Sequence, residues 1–355
     1  MILTFVAFVI VVGIIVFVHE LGHFIAAKLT GVRVEVFSLG FLNKMVSKKI
    51  GETEYAISWL PLGGYVKMSG MIDESLEDKP LTGAAWEFMS KTFPQKVLVL
   101  SAGVLMNFLM GIIVFFALTW AIGVAEISEP LVGSIEKDFP AAQAGIGPGD
   151  RIISIDGDSI ETWQKLTDII HPRAGDTLNV VWQHDGQLLN ARMVARTREF
   201  KQGDSTLSFG AIGIGPRAIF KKVGMLKSLG YGFELTGKII ALSLVVVKDL
   251  IIGHASLNEV AGPIGIAQLS GQTIRSGLVD FLAFIAQVSV GIGLLNILPL
   301  PVVDGGHIVF AGVEAIIRRP ISSKVKLNVW KVGWALLIAF FLLVTYHDIL
   351  RIIFG

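Results

Sequence analysis

Four stretches without a single Asp, Glu, Lys or Arg constrain this chain most: residues 1–18, 97–125, 281–303 and 332–347. With their flanks, each approaches or exceeds the roughly 20 apolar residues needed to cross about 30 Å of hydrocarbon. The expectation is a polytopic α-helical membrane protein with four transmembrane helices, over 1–29, 97–125, 276–303 and 332–355. The first run lacks a basic leading region and passes His19, Glu20 and His23 without a small-residue cleavage site, so it reads as a retained helix rather than a signal peptide. A fifth apolar run, Ile239–Val247, is nine residues between Lys238 and Lys248 and reads as part of an amphipathic helix over 224–255 at the interface. With 53 % hydrophobic and 17 % charged residues, the composition excludes an ordinary soluble enzyme. A net charge of +1 leaves no large basic surface for nucleic acid. The absence of cysteine excludes disulfides, thiolate catalysis and cysteine zinc fingers, so any metal site must use His and carboxylate.

The short loops orient the spans. Arg318, Arg319, Lys324 and Lys326 against Glu314 in the 304–331 loop, and Lys28, Arg33, Lys91 and Lys96 at the ends of the 30–96 loop, put both loops on the cytoplasmic side. Both termini and 126–275 are then expected outside. Within 30–96, Arg33–Phe37, Thr53–Trp59 and Gly64–Met68 alternate or run β-branched, as strands of a small membrane-associated sheet would. Residues 127–200 show strand-like alternation, turn signals at Asp156-Gly157 and Asp185-Gly186, and a helical stretch near Thr162–Ile170. Residues 201–223 read as a loop, the first part of a 201–275 linker. The stretch Leu131–Ile160, with its PAAQAG and GDRIISIDG segments, resembles a circularly permuted PDZ domain, placed at 126–200. Such domains add an extended peptide to a sheet edge, and the resemblance points to the backbone of Leu131, Val132, Gly133 and Ser134 for a peptide C-terminus. A spacer that binds nothing is the plainer alternative.

Chemistry enters at His19-Glu20-Leu21-Gly22-His23. Two His at i and i+4 share one helix face, so two imidazole nitrogens can reach one zinc while Glu20 stands beside it as general base. Three ionisable groups at the end of an apolar span are costly, which favours a functional reading over a polar helix cap. A third ligand is required. Pro299 and Pro301 forbid a regular helix after Asn296, and Gly305-Gly306 permit a turn, so the backbone unwinds where the third span ends. Asp304 on that segment is the third ligand by this reading, leaving a fourth position open for water, and His307 competes with it.

The segments HELGH and NILPLPVVDGG together resemble the site-2 protease family of intramembrane zinc metalloproteases, in the bacterial regulator-of-sigma-E type with a single PDZ domain. GGYVKMSG (63–70), SAGVLMN (101–107) and AGPIGIA (261–267) extend the likeness nearly end to end. The resemblance implies a bacterial inner-membrane metalloendopeptidase that acts on single-pass membrane proteins such as anti-sigma factors or signal-peptide remnants. It implies His19, His23 and Asp304 as ligands of one zinc, Glu20 as catalytic residue, and Asn296 as a polar group for the substrate backbone or oxyanion. Two departures stand out: relatives of this type often carry two PDZ domains, and Val104 stands where many have proline. A transmembrane substrate must unwind to be cut, and an edge strand at Gly63, Gly64, Tyr65, Val66, Lys67 and Met68 would replace its lost hydrogen bonds. The rival classes are a zinc-binding transporter, which should show internal repeats and several polar spans, and an inactive scaffold, which should have lost Glu20 or a ligand.

Overall fold

The computed structural model describes residues 1–71, 82–202, 205–254 and 260–354. Residues 72–81 of the expected first loop, and 203–204 and 255–259 of the expected linker, lie outside the described residues. In chain order the elements are α1 (Ile2–Leu29), β1 (Val34–Ile50), β2 (Thr53–Met68), a 3-10 turn (Phe88–Ser90), α2 (Phe93–Ile122), β3 (Val124–Glu126), β4 (Val132–Ile135), α3 (Pro140–Gln143), β5 (Arg151–Ile155) and β6 (Asp158–Ser159). There follow α4 (Trp163–Ile170), β7 (Thr177–His184), β8 (Gln187–Val194), β9 (Arg196–Gln202), β10 (Ser205–Ala211), β11 (Ile214–Pro216) and β12 (Ile219–Lys221). The chain closes with α5 (Met225–Ile251), α6 (Pro263–Ser276), α7 (Leu278–Ile297), α8 (Asp304–Ile317) and α9 (Ser323–Phe354). The chain divides into two compact units, Met1–Leu118 with Leu226–Gly355, and Thr119–Met225.

The first unit is helical. Among the described residues, five helices rather than four are long and apolar enough to cross a membrane: α1, α2, α5, α7 and α9. The addition is α5, for which the sequence reading gave an interfacial helix. Lys238 pairs with Glu234 one turn earlier at 2.7 Å, and the helix lies along α2, with Gly232 against Ile112 and Thr236 beside Gly111. The apolar faces of α1 and α7 meet in a core of Ala7, Val11, Ile15, Phe281 and Ile285. Helix α6, absent from the sequence reading, packs its Gly271 on Thr4 of α1. Its N-terminal N–H groups at Gly262 and Gly265 are capped by the buried carboxylate of Asp348 on α9, at 3.3 and 2.8 Å. The expected 304–331 loop instead contains α8: the two prolines end α7 at Ile297, and the chain re-enters a helix at Asp304 once they are passed.

Strands β1 and β2 are long and bent, with Gly40 (φ +92°) and Gly63 (φ +144°) supplying backbone conformations that side chains disfavour. Segment Val36–Leu39 faces Glu54–Ile57 on one side and Gly64–Lys67 on the other, while Lys44–Ile50 pairs with Thr53–Ser58. The three segments expected as strands therefore lie in one bent sheet, and Gly64–Met68 forms its outer edge.

The second unit is β-rich. A four-stranded sheet in the order β6-β5-β7-β8 buries Ile152, Ile155, Leu178, Val180 and Trp182 beneath Leu166 and Ile170 of α4. Thr162 caps α4 by accepting from the Lys165 N–H at 3.2 Å. Asp156-Gly157 and Asp185-Gly186 turn with positive φ at both residues, as two-residue hairpin turns require. The segment 201–223, expected as a loop, instead holds β10, β11 and β12: β11 pairs with β4 and β12 with β3, partners about 80 and about 95 residues away that no local pattern reveals. That pairing corrects the peptide-binding expectation at Leu131, Val132, Gly133 and Ser134. The Leu131 carbonyl accepts from Arg217, Val132 donates to Asp150 and accepts from Gly149, and Ser134 sits opposite Gly215. Backbone groups on both sides of this segment are thus engaged within the unit.

His184 donates from Nδ1 to Asp150 at 2.7 Å, and that hydrogen bond, followed by attraction to the same carboxylate, raises its pKa above the ordinary imidazole value. A raised folded-state pKa gives stability that is complete below about pH 6.5 and lost as pH rises through the folded value. Histidine-selective NMR titration of the full chain should show His184 titrating above the ordinary imidazole value, and His184→Gln should abolish the part of the stability-pH profile that falls across that range.

Candidate metal centre

The last turns of α1 carry His19 and His23 on one face, 7 % and 6 % exposed, with their rings edge to face at 4.7 Å. Two glycines let this face meet α2. A side chain at Gly22 would overlap the Ala102 carbonyl, and a Cβ at Gly103 would lie 2.5 Å from His23 Nε2 and 2.7 and 2.8 Å from His19 Cε1 and Nε2. Helix α8 brings the third group. Residues 298–303 fold back so tightly that Gly305 and Gly306 abut the Leu298 and Leu300 carbonyls, and Asp304 in the first turn of α8 is thereby turned toward α1.

The three functional atoms form a nearly equilateral triangle. His19 Nε2 and His23 Nε2 are 3.1 Å apart, and Asp304 Oδ2 lies 3.1 Å from the first and 3.4 Å from the second. Donor atoms held about 2.0–2.1 Å from a tetrahedral zinc stand about 3.3–3.4 Å apart, so these separations are those of three corners of a zinc site. Asp304 Oδ2 is buried and receives no hydrogen bond, although two nitrogens are this close. Three ligand atoms converging this closely are what a cation would satisfy, and two imidazoles with one carboxylate suit zinc. The residues present therefore fit the metal. Among the described residues this is the group of His and carboxylates whose ligand atoms all lie within 4.8 Å of one another.

Groups outside the sequence reading orient the ligands. His23 Nδ1 donates to the Val99 carbonyl of α2 at 2.8 Å, which leaves the Nε2 lone pair facing Asp304. The fully buried Asn107 amide lies 3.4 Å from His19 Nδ1. The one local signal was spacing: Gly103 and Asn107 stand at i and i+4 on α2, as His19 and His23 do on α1.

Of the other predicted residues, Glu20 is half-buried, and a Cβ at Gly64 would lie 3.7 Å from its Cγ, so the edge segment Gly64–Met68 begins beside it. Asn296 is half-buried in the last turn of α7, one turn beyond Gly293, which abuts Asn107. His307 lies outside the triangle and packs edge-on against Trp330 at 4.7 Å. The structure thus brings His19, His23 and Asp304 together, sets Glu20 and the strand edge alongside, and leaves His307 apart.

The sequence model of peptidase family M50 matches residues 7–340. A candidate zinc metalloprotease of Clostridium perfringens is 34 % identical over 337 residues, covering 95 % of each chain. One from Mesorhizobium japonicum is 32 % identical over 98 % of each chain, and one from Vibrio cholerae is 29 % identical over 98 % of each. Among solved structures, the PDZ domain of an SdrC-like protein from Listeria monocytogenes is 26 % identical, covers 26 % of this chain and 90 % of its own, and superposes with a TM-score of 0.21. The match spans nearly the whole chain and includes the helix of His19 and His23 as well as Asp304, so the chain belongs to peptidase family M50 and is a zinc metalloprotease.

Proposed function

We infer that this protein is an intramembrane endopeptidase: a multi-pass protein of the bacterial inner membrane that cuts single-pass membrane proteins within or beside their membrane-spanning segments. The observation that carries the reading is the location of the ligand triangle, whose two imidazoles are buried in the last turns of a helix long and apolar enough to span. The basic loops support an active site toward the cytoplasmic side, and the resemblance of Leu131–Ile160 to a PDZ domain supports reading the second unit as an extracytoplasmic PDZ-type domain. One zinc held by His19, His23 and Asp304 would supply a Lewis acid and an acidified water. Glu20 takes the proton from the attacking water and returns it to the departing amine nitrogen, and Asn296, whose amide makes no side-chain hydrogen bond among the described residues, donates to the developing oxyanion.

The outer edge of Gly64–Met68, beginning beside Glu20, suits a substrate that must be held extended. Each peptide group freed from the substrate helix costs several kcal/mol in lipid unless a strand replaces its partner. In liposomes holding the enzyme and a single-pass protein, mass spectrometry should place the scissile bond in or next to the apolar span, with cleavage abolished by chelation. Cuts confined to the soluble ectodomain would contradict intramembrane action, and a zinc-loaded protein that cuts nothing would favour the scaffold. Backbone donors alternate in direction along a strand, so proline at one of Tyr65 and Val66 should cut turnover about tenfold or more with zinc retained. A helix-breaking residue in the substrate should partly restore it. Equal tolerance of proline at both positions in folded, zinc-loaded protein excludes pairing at this edge.

A further inference from the structure

We propose that Asn107 is the positioning residue that fixes the tautomer of His19, turning its amide so that Oδ1 accepts from His19 Nδ1–H. The inference rests on the zinc-ligand reading of His19 and concerns a residue of α2 that touches neither metal nor substrate. The amide nitrogen faces Nδ1 at 3.4 Å. That pairing makes Nδ1 the acceptor and places the imidazole proton on Nε2, aimed at His23 Nε2 and Asp304 Oδ2, which lie 3.1 Å away. A ligating Nε2 cannot carry that proton. It must sit on Nδ1, and the partner of Nδ1 must then be an acceptor.

Three observations make Asn107 that acceptor. Its Oδ1 is buried and receives no hydrogen bond, so nothing holds the oxygen in its present orientation. Half a turn of the amide exchanges oxygen and nitrogen at constant volume, which a fully buried site tolerates. The residue is otherwise anchored, because its own carbonyl accepts from Ser289 of α7 at 3.1 Å and its Cβ stands against Gly293. The two ligand imidazoles are thus oriented differently: His23 by the Val99 carbonyl, which no substitution can remove, and His19 by a side chain that one can.

The test uses full-length protein in detergent. In zinc-loaded, 15N-histidine-labelled enzyme, His19 should show a protonated Nδ1 with a hydrogen-bonded proton signal and a metal-shifted Nε2. Asn107→Leu keeps the volume and removes the acceptor; it should lose that proton signal and bind zinc about 10- to 100-fold more weakly in a metal-buffered titration. Asn107→Asp keeps an acceptor and should retain both within a few-fold, which separates hydrogen bonding from packing if the leucine variant folds poorly. Wild-type zinc affinity in Asn107→Leu, or an unprotonated Nδ1 in the loaded wild type, overturns the assignment. So does equal weakening in both variants. Loss of zinc from the wild type itself, or a His19 Nε2 unshifted by metal, would instead refute the underlying ligand reading.

Discussion

Alanine at His19, His23 or Asp304 should each remove bound zinc and all proteolysis, whereas Glu20→Gln should keep its zinc and lose turnover alone. The distinction follows from the triangle. Its three atoms lie 3.1 to 3.4 Å apart, and removing any corner leaves two donors, too few to hold a catalytic zinc. Glu20 is adjacent in sequence but outside the triangle. Removing its base function is expected to cost about 10²- to 10⁴-fold in kcat. Metal analysis of purified variants beside cleavage of a reconstituted substrate reads both quantities. A zinc-replete Asp304→Ala would move the third ligand elsewhere, with His307 next in line.

A substitution that adds a single carbon should be almost as damaging. At Gly103 the added Cβ would lie 2.5 Å from one ligand nitrogen and 2.8 Å from the other, far inside ordinary contact. Neither imidazole can yield freely, because His23 is tied to Val99 on the same helix and Gly22 already sets α1 against the Ala102 backbone. Gly103→Ala should therefore displace the ligands by about 1 Å and lower activity by about 10²-fold or more, with zinc content falling in parallel. Gly312→Ala, whose Cβ would meet nothing nearer than 4.0 Å, is the control and should leave both unchanged. Normal zinc binding in Gly103→Ala would show that α1 and α2 can separate at no cost.

Much of this protein was legible in one dimension because the signals were local. Uncharged runs mark apolar helices wherever they occur, since the cost of a charge in hydrocarbon acts on each residue separately. The His19–His23 spacing places two ligands on one face by helical geometry alone, and Pro299 and Pro301 end a helix by removing backbone donors. Helix α5 runs well beyond the nine-residue run Ile239–Val247, so its length and mean hydropathy are those of a segment able to cross a membrane, a property that the run between Lys238 and Lys248 does not display.

What the sequence determined by itself was therefore the apolar helices, the metal-binding pair with its adjacent Glu20, and the positions where helices break. The tertiary structure decided the rest: that Asp304 rather than His307 closes the triangle, that Val99, Gly103 and Asn107 surround it, and that β11 occupies the strand edge once assigned to a peptide. Asp304 lies 281 residues beyond His23, and β11 about 80 beyond β4. Contacts of that separation are fixed by which backbones can approach, here through Gly22, Gly103, Gly305 and Gly306, and close approach between distant segments leaves no periodicity in the sequence to read.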